Sequence, residues 1–227
     1  MDTLSVTTSA GFDSWADSVL STLSLEERAG QLLMPWTLGD FAPEGSGSRE
    51  RIMGMVKDLG IGGVIVSVGS PTEVAVKLNG LQEEARVPLL VSADLERAAG
   101  FRFRGAVYLP GPISLGGATE FPSLMAVGAT GDPSLAREMG RVTGLEARAL
   151  GVHVPFAPVL DVNNNPDNPI INIRSFGEDP REVARLGAAF VDGVQDAGAI
   201  ATGKHFPGHG DTDTDSHLDL PVINVSR

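Results

Sequence analysis

Residues 88–97 read PLLVSADLER, an apolar run that ends abruptly in charge, with Asp94, Glu96 and Arg97 standing directly behind Leu89, Leu90 and Val91. A continuous apolar run of this length suits a strand buried on both faces, as in a parallel sheet. The pattern recurs along the chain. LLMPW at 32–36 and GVIVSV at 63–68 precede it, and VHVPFAPVLDV at 152–162 and AIATGKHF at 199–206 follow it. Asp161 and Asn163 to Asn165 close the fourth run, and Lys204 and His205 close the fifth.

Helix starts lie between these runs. Ser24 with Glu27, and Ser70 with Glu73, have the spacing of capping boxes, in which hydroxyl and carboxylate satisfy free backbone N–H groups at the helix start. Asp132–Pro133 and Asp179–Pro180 each place an N-cap acceptor before a proline suited to the first helical position. Val183, Leu186, Phe190 and Val194 recur at helical spacing and predict one buried stripe. Gly60 and Gly198 stand where a helix ends and a strand follows. Strand and helix in alternation define an α/β protein. A barrel and a doubly wound sheet both gather ligand-binding groups at strand C-termini, so the pattern alone leaves the two open. No linker or internal repeat divides the sequence, and one domain over residues 1–227 is the simplest organisation.

Seventeen basic against 29 acidic residues leave a net charge of −12. No Lys/Arg run offsets it, so nucleic acid and anionic membrane surfaces are not expected as partners. Cysteine is absent, which excludes disulfides and thiolate metal sites. The start, MDTLSVTTSAGFDSWADS, has neither a basic nor an apolar leader region, and no run of about 18 apolar residues occurs. A cytoplasmic location is the resulting expectation.

Residues 204–221, KHFPGHGDTDTDSHLDLP, hold three of the four histidines. Residues 198–205 match the glycine and lysine positions of a phosphate loop, but His205 stands where magnesium needs Ser or Thr. Asp211, Asp213 and Asp215 imitate the start of a calcium loop, which then fails at Ser216 and Val222. His205 and His209 have the spacing of a zinc helix, but Pro207 and Gly208 between them oppose a helix. A loop could still gather His209, Asp211 and His217 around a metal, and a solvated acidic loop with no task is the plainest alternative. Against that stand Lys204-His205 at a strand end, glycines 208 and 210 as hinges, and Asp215-x-His217. In an extended segment residues two apart point the same way, so the carboxylate can hold the imidazole and leave its other nitrogen free for proton transfer. Arg174, in NPIINIRSFGEDP at 168–180, could fork onto hydroxyls or a carboxylate, whereas Asp179–Pro180 serves the next helix.

LSLEERAGQLLM, LLVSADLERAAGFRF, FAPVLDVNNNPDNPIINIRSFGEDP and, above all, KHFPGHG followed by D-x-H resemble glycoside hydrolase family 3, in its β-N-acetylglucosaminidase branch. The resemblance runs in order from about residue 15 to residue 221. It implies a (β/α)8 TIM-type barrel and a carbohydrate substrate, with no cofactor and no metal. It implies that Asp94, Arg102, Arg174, Lys204 and His205 bind the terminal sugar, and that Asp215 and His217 form an acid/base dyad on a mobile loop. An imidazole, with a general pKa of about 6.5, suits both halves of that task. The implied chemistry is retaining cleavage of β-linked 2-acetamido sugars, such as those from peptidoglycan, through an aspartate nucleophile. A phosphorylase, another family 3 glycosidase such as a β-glucosidase, and a non-catalytic sugar-binding fragment are the alternatives. No residue here matches the family's nucleophile, and five strand runs are read where a barrel has eight. The expectation is an incomplete barrel, completed by a further C-terminal segment or a second chain, and little activity from these 227 residues alone.

Overall fold

The computed structural model of the chain describes residues 10–109, 111–114 and 116–223. The first nine residues, half of the stretch read above as lacking a leader, and the last four lie outside them.

Helix α1, Ala10–Thr22, leads into α2, Leu25–Gly30, whose start is built as expected: Ser24 accepts from the Glu27 amide, and Glu27 accepts from the Ser24 amide. Strand β1, Trp36–Leu38, and helix α3, Gly47–Asp58, come next, followed by β2, Gly63–Ser67. Helix α4, Pro71–Glu84, opens on the second capping box and returns the chain to β3, Leu90–Ala93. A hairpin of β4, Ala106–Leu109, and β5, Gly111–Ser114, then interrupts the alternation, and a short helix α5, Leu124–Gly128, follows it. Helix α6, Pro133–Ala149, precedes β6, Val154–Pro155, and α7, Pro180–Asp196, begins under the Asp179 cap.

β1, β2, β3 and β6 form one parallel sheet in that order, with Trp36 opposite Ile65, Val64 opposite Val91 and Ser92 opposite Val154. The fifth run read from the sequence lies beside the fourth but is not a regular strand. Ile200 donates to the His153 carbonyl, Thr202 to that of Ala157 and Lys204 to that of Pro158, and only Lys204 and Val159 form a bridge. Pro155 and Pro158 have no N–H to donate, so an unbroken ladder cannot form along residues 152–162. The first run is also displaced, because residues 31–32 form a turn after α2 and pairing begins only at Trp36.

Two apolar clusters hold these layers. Val64, Val66, Val91 and Ala93 point from the sheet onto Ile52 and Val56 of α3 and Val74 and Leu78 of α4. Val183, Leu186, Phe190 and Val194, the stripe read from the sequence, pack with Leu124, Met139 and Val159. Helices α6 and α7 approach closely because Gly140 and Gly193 carry no side chain. A Cβ on Gly193 would lie 2.0 Å from the Arg137 carbonyl oxygen, and one on Gly140 would lie 2.1 Å from that of Phe190. The opposite face is covered only in part: Trp36, Leu38 and Leu90 there are 51%, 41% and 47% exposed. The sheet is therefore not closed into a barrel among the described residues. No helix among them is long and apolar enough to cross a membrane.

Candidate active site

The C-terminal ends of β3 and of the fourth and fifth runs share one rim, and the charged residues there meet. Lys204 places its Nζ 2.7 Å from Asp94 Oδ1 and 2.6 Å from Glu96 Oε1. Arg174 forks onto Glu96, with Nε 3.0 Å from Oε2 and Nη2 2.8 Å from Oε1, and its Nη1 donates to the Ile170 carbonyl. Glu96 is thus a buried carboxylate (side chain 6% exposed) clamped by two cations. Burial alone would raise its pKa, but the hydrogen bonds and charges of Arg174 and Lys204 outweigh burial and bring it down to about 2. Arg102 completes this side more loosely, 3.4 Å from Asp94 Oδ2, with its guanidinium 4.6 Å from the centre of the Phe101 ring.

Asp161 organises the other side. Its side chain is fully buried, and Oδ2 accepts from the His205 ring (Nδ1, 2.6 Å) and the His205 amide (3.1 Å), while Oδ1 accepts from the His209 amide at 2.6 Å. Burial pushes this carboxyl up, but those hydrogen bonds hold it below the ordinary aspartate range. His205 Nε2 lies 3.3 Å from Arg174 Nη2. A guanidinium only donates, so Nε2 accepts there and the ring proton sits on Nδ1 against Asp161. Donation from His205 Nε2 to a sugar hydroxyl therefore requires Arg174 to give up that contact.

Asp94, Arg102, Arg174, Lys204 and His205 thus form one connected network, although Lys204 and Asp94 are 110 residues apart in sequence. Open space adjoins it on two sides: a cavity of about 290 Å³ against Glu96, Phe101 and Arg174, and one of about 200 Å³ against Asp161, Lys204 and His205. Glu96 and Asp161 are the members not anticipated as site residues. Their places at strand ends were visible in the sequence, but their burial, which makes them organisers, depends on how the loops converge.

Asp215 and His217 do pair, with His217 Nδ1 2.6 Å and its amide 2.9 Å from Asp215 Oδ1. The geometry differs from the extended segment expected. Leu218 and Asp219 both donate to the Asp215 carbonyl, so the pair sits in a turn in which one carboxylate oxygen caps the backbone and holds the ring. These hydrogen bonds, backbone first, lower the Asp215 pKa. The His217 side chain is 72% exposed, and among the described residues no hydrogen bond or ion pair joins either member to Asp94, Arg174 or Lys204. Gly208 has φ +134, as a turn glycine does, but Gly210 is a close approach and not a hinge: a Cβ there would lie 1.7 Å from the Val162 carbonyl oxygen. His209, Asp211 and His217 do not converge, and no group of three or more His, Asp or Glu among the described residues is placed to hold a metal ion.

Residues 24–227 match the model of the glycosyl hydrolase family 3 N-terminal domain. The chain is 35% identical over 212 residues to a β-N-acetylglucosaminidase/β-glucosidase of Cellulomonas fimi, an alignment that covers 93% of this chain and 34% of that protein. Among solved structures, a family 3 β-N-acetylglucosaminidase from Paenibacillus sp. FPU-7 is 41% identical with a TM-score of 0.75, over 89% of this chain and 36% of that one. A β-glucoside phosphorylase, BglX, bound to 2FGlc is 30% identical with a TM-score of 0.77, over 92% and 35%. The chain spans about a third of the length of curated relatives that it matches, 34% and 28% of two of them.

Proposed function

The chain belongs to glycosyl hydrolase family 3, and from that premise we propose that it supplies the sugar-binding rim and the acid/base of a retaining β-N-acetylglucosaminidase. The observation that carries this reading is the shared ammonium: Lys204, 14% exposed, stands between Asp94 and Glu96 with Arg174 forked behind it. Such a group presents fixed donors and one half-exposed acceptor, Asp94, to a ring of hydroxyls. Glu96 keeps the two cations aimed and is itself too buried to be taken up by the sugar.

Asp94 would accept from ring hydroxyls while Lys204, Arg174 and Arg102 donate to others. His217 is held at Nδ1 by Asp215, which leaves Nε2 to protonate the departing glycosidic oxygen and later to take a proton from the incoming water. Between those steps an aspartate carboxylate would hold the sugar as a glycosyl-enzyme. No residue of this sequence is assigned that role, so the 227-residue chain is expected to bind N-acetylglucosamine without turning over its β-glycosides.

Titration calorimetry of the chain with N-acetylglucosamine, beside an aryl N-acetyl-β-glucosaminide assay, tests the binding half. Binding that is lost in Lys204→Met supports it, and steady turnover by the chain alone would overturn the assignment of the nucleophile elsewhere. In an active enzyme containing this chain, His217→Ala should slow substrates with poor leaving groups by roughly two orders of magnitude or more, and an unchanged rate would refute the dyad. A second reading, in which phosphate replaces water in the second step, is favoured by the likeness to a β-glucoside phosphorylase. Product analysis with and without phosphate separates the two.

A further inference from the structure

His209 is the one histidine of residues 204–221 to which the reading above gives no task, and it is tied at three points. Its amide donates to Asp161, its carbonyl accepts from Asn168 Nδ2 at 2.7 Å and from Thr212 Oγ1 at 3.0 Å, and its ring touches two hydroxyls. Asp161, Asn168 and Thr212 are 3%, 2% and 3% exposed, so the backbone of His209 is fixed to the buried part of the rim. Asn168 is fixed in turn, since its Oδ1 accepts from the amides of Ile170 and Ile171, in the segment that carries Arg174.

The ring contacts define a direction. Nδ1 bonds Thr212 Oγ1, and Nε2 is the second hydrogen-bonding nitrogen of the ring. Ser216 Oγ lies 3.0 Å from that nitrogen. Ser216 is the residue between Asp215 and His217, in an exposed turn that otherwise holds itself by its own backbone and by Asp215. Among the described residues, the His209 ring is thus a side-chain link from the buried rim to the turn that bears the dyad.

We infer that His209 is a positioning residue: through its bond to Ser216 it latches the Asp215–His217 turn against the sugar-binding rim. The inference rests on the reading of His217 as the acid/base. His209 itself touches neither sugar nor proton in transit. It shortens the excursions of a turn that has few other attachments, and so raises the fraction of time that His217 stands where it can act.

The test uses Ser216→Ala, an exposed position whose truncation leaves the fold in place, with Ser216→Thr restoring the hydroxyl. In the chain itself, water-exchange NMR should show the amides of His217, Leu218 and Asp219 exchanging up to about tenfold faster in Ser216→Ala, the scale of one hydrogen bond, and returning toward the parent in Ser216→Thr. In an active enzyme containing the chain, kcat for a poor leaving group should fall by up to about the same factor. Activity toward a dinitrophenyl glycoside, which needs little acid help, should fall less. Adding His209→Gln to Ser216→Ala should cost less than the sum of the two single effects, because both remove the bond that joins the two residues. Exchange rates unchanged in Ser216→Ala, or single effects that simply add in the double variant, overturn the latch. If exchange accelerates while His217→Ala leaves every rate unchanged, the latch stands as a structural link and the acid/base reading is what fails.

Discussion

Glu96 and Lys204 are in direct contact, with Oε1 2.6 Å from Nζ, and both are largely removed from water. The same carboxylate carries the fork of Arg174, so one buried anion balances two cations that converge on it from distant parts of the chain. Removing the anion leaves the Arg174 guanidinium without its ion-pair partner and Lys204 with Asp94 alone.

Glu96→Gln keeps the shape and one acceptor but removes the charge. Breaking a buried ion pair from one side costs about 3–5 kcal/mol, so urea unfolding should show a loss of that order. Sugar affinity should fall in parallel as Lys204 and Arg174 lose their aim. A variant as stable as the parent would show that the cluster is solvated and not held by Glu96.

The same residue sets an acid limit. Its ordinary value is 4.5 and its folded value is about 2, so the folded protein binds the proton less readily than the unfolded chain does. Stability from Glu96 is therefore fully present above pH 4.5 and is lost as pH falls toward 2, on the order of 3 kcal/mol in all. Urea midpoints measured between pH 5 and 2 should decline, and the decline should be shallower in Glu96→Gln.

His153 predicts a second, milder slope. Its Nδ1 accepts from the Val91 amide at 3.0 Å, a bond that protonation destroys, and burial, helped by Arg148, pushes its pKa below the ordinary 6.5. The unfolded chain takes up the proton first, so stability is complete above pH 6.5 and falls as pH drops through the lowered folded value. His153→Asn keeps an acceptor for Val91 and removes the titration. Thermal unfolding between pH 7 and 5 should lose most of its pH dependence in that variant.

Gly193→Ala tests the crossing of α6 and α7. The new Cβ would meet the Arg137 carbonyl oxygen at 2.0 Å, a backbone atom that cannot swing aside. Overpacking of this kind costs about 1–3 kcal/mol. Gly54→Ala, on α3 where the new Cβ would meet only a flexible Asp58 oxygen at 3.5 Å, is the control and should be neutral or slightly stabilising. Equal stability of the two variants would mean that the helices separate at little cost.

The legible parts of the fold were those decided by neighbours in sequence. Both capping boxes, the Asp132 and Asp179 caps and the α7 stripe are contacts within one turn or one face of a helix, and they stand where the residues predict. Gly60 and Gly198 adopt φ +58 and +79, as glycines after helix ends do. Helix α3 was not read, because GSRERIMGMVKD opens on glycine and serine and buries only Ile52 and Val56. The β4–β5 hairpin was not read either, since a continuous barrel alternation left no place for an antiparallel pair.

The sequence by itself therefore determined the alternation of strand and helix, the end of each strand at which polar groups collect, and the identity of the Asp215–His217 pair. Each rests on separations of a few residues, over which backbone geometry leaves little choice. Only the tertiary structure decided which carboxylate serves which cation. Asp94 meets Lys204, Glu96 takes Arg174 and Asp161 holds both His205 and His209, across separations of 44 to 110 residues. A charge at a strand end is free to pair or to stay in water until the loops bury it. Burial then makes an unpaired charge costly, and so selects the partners.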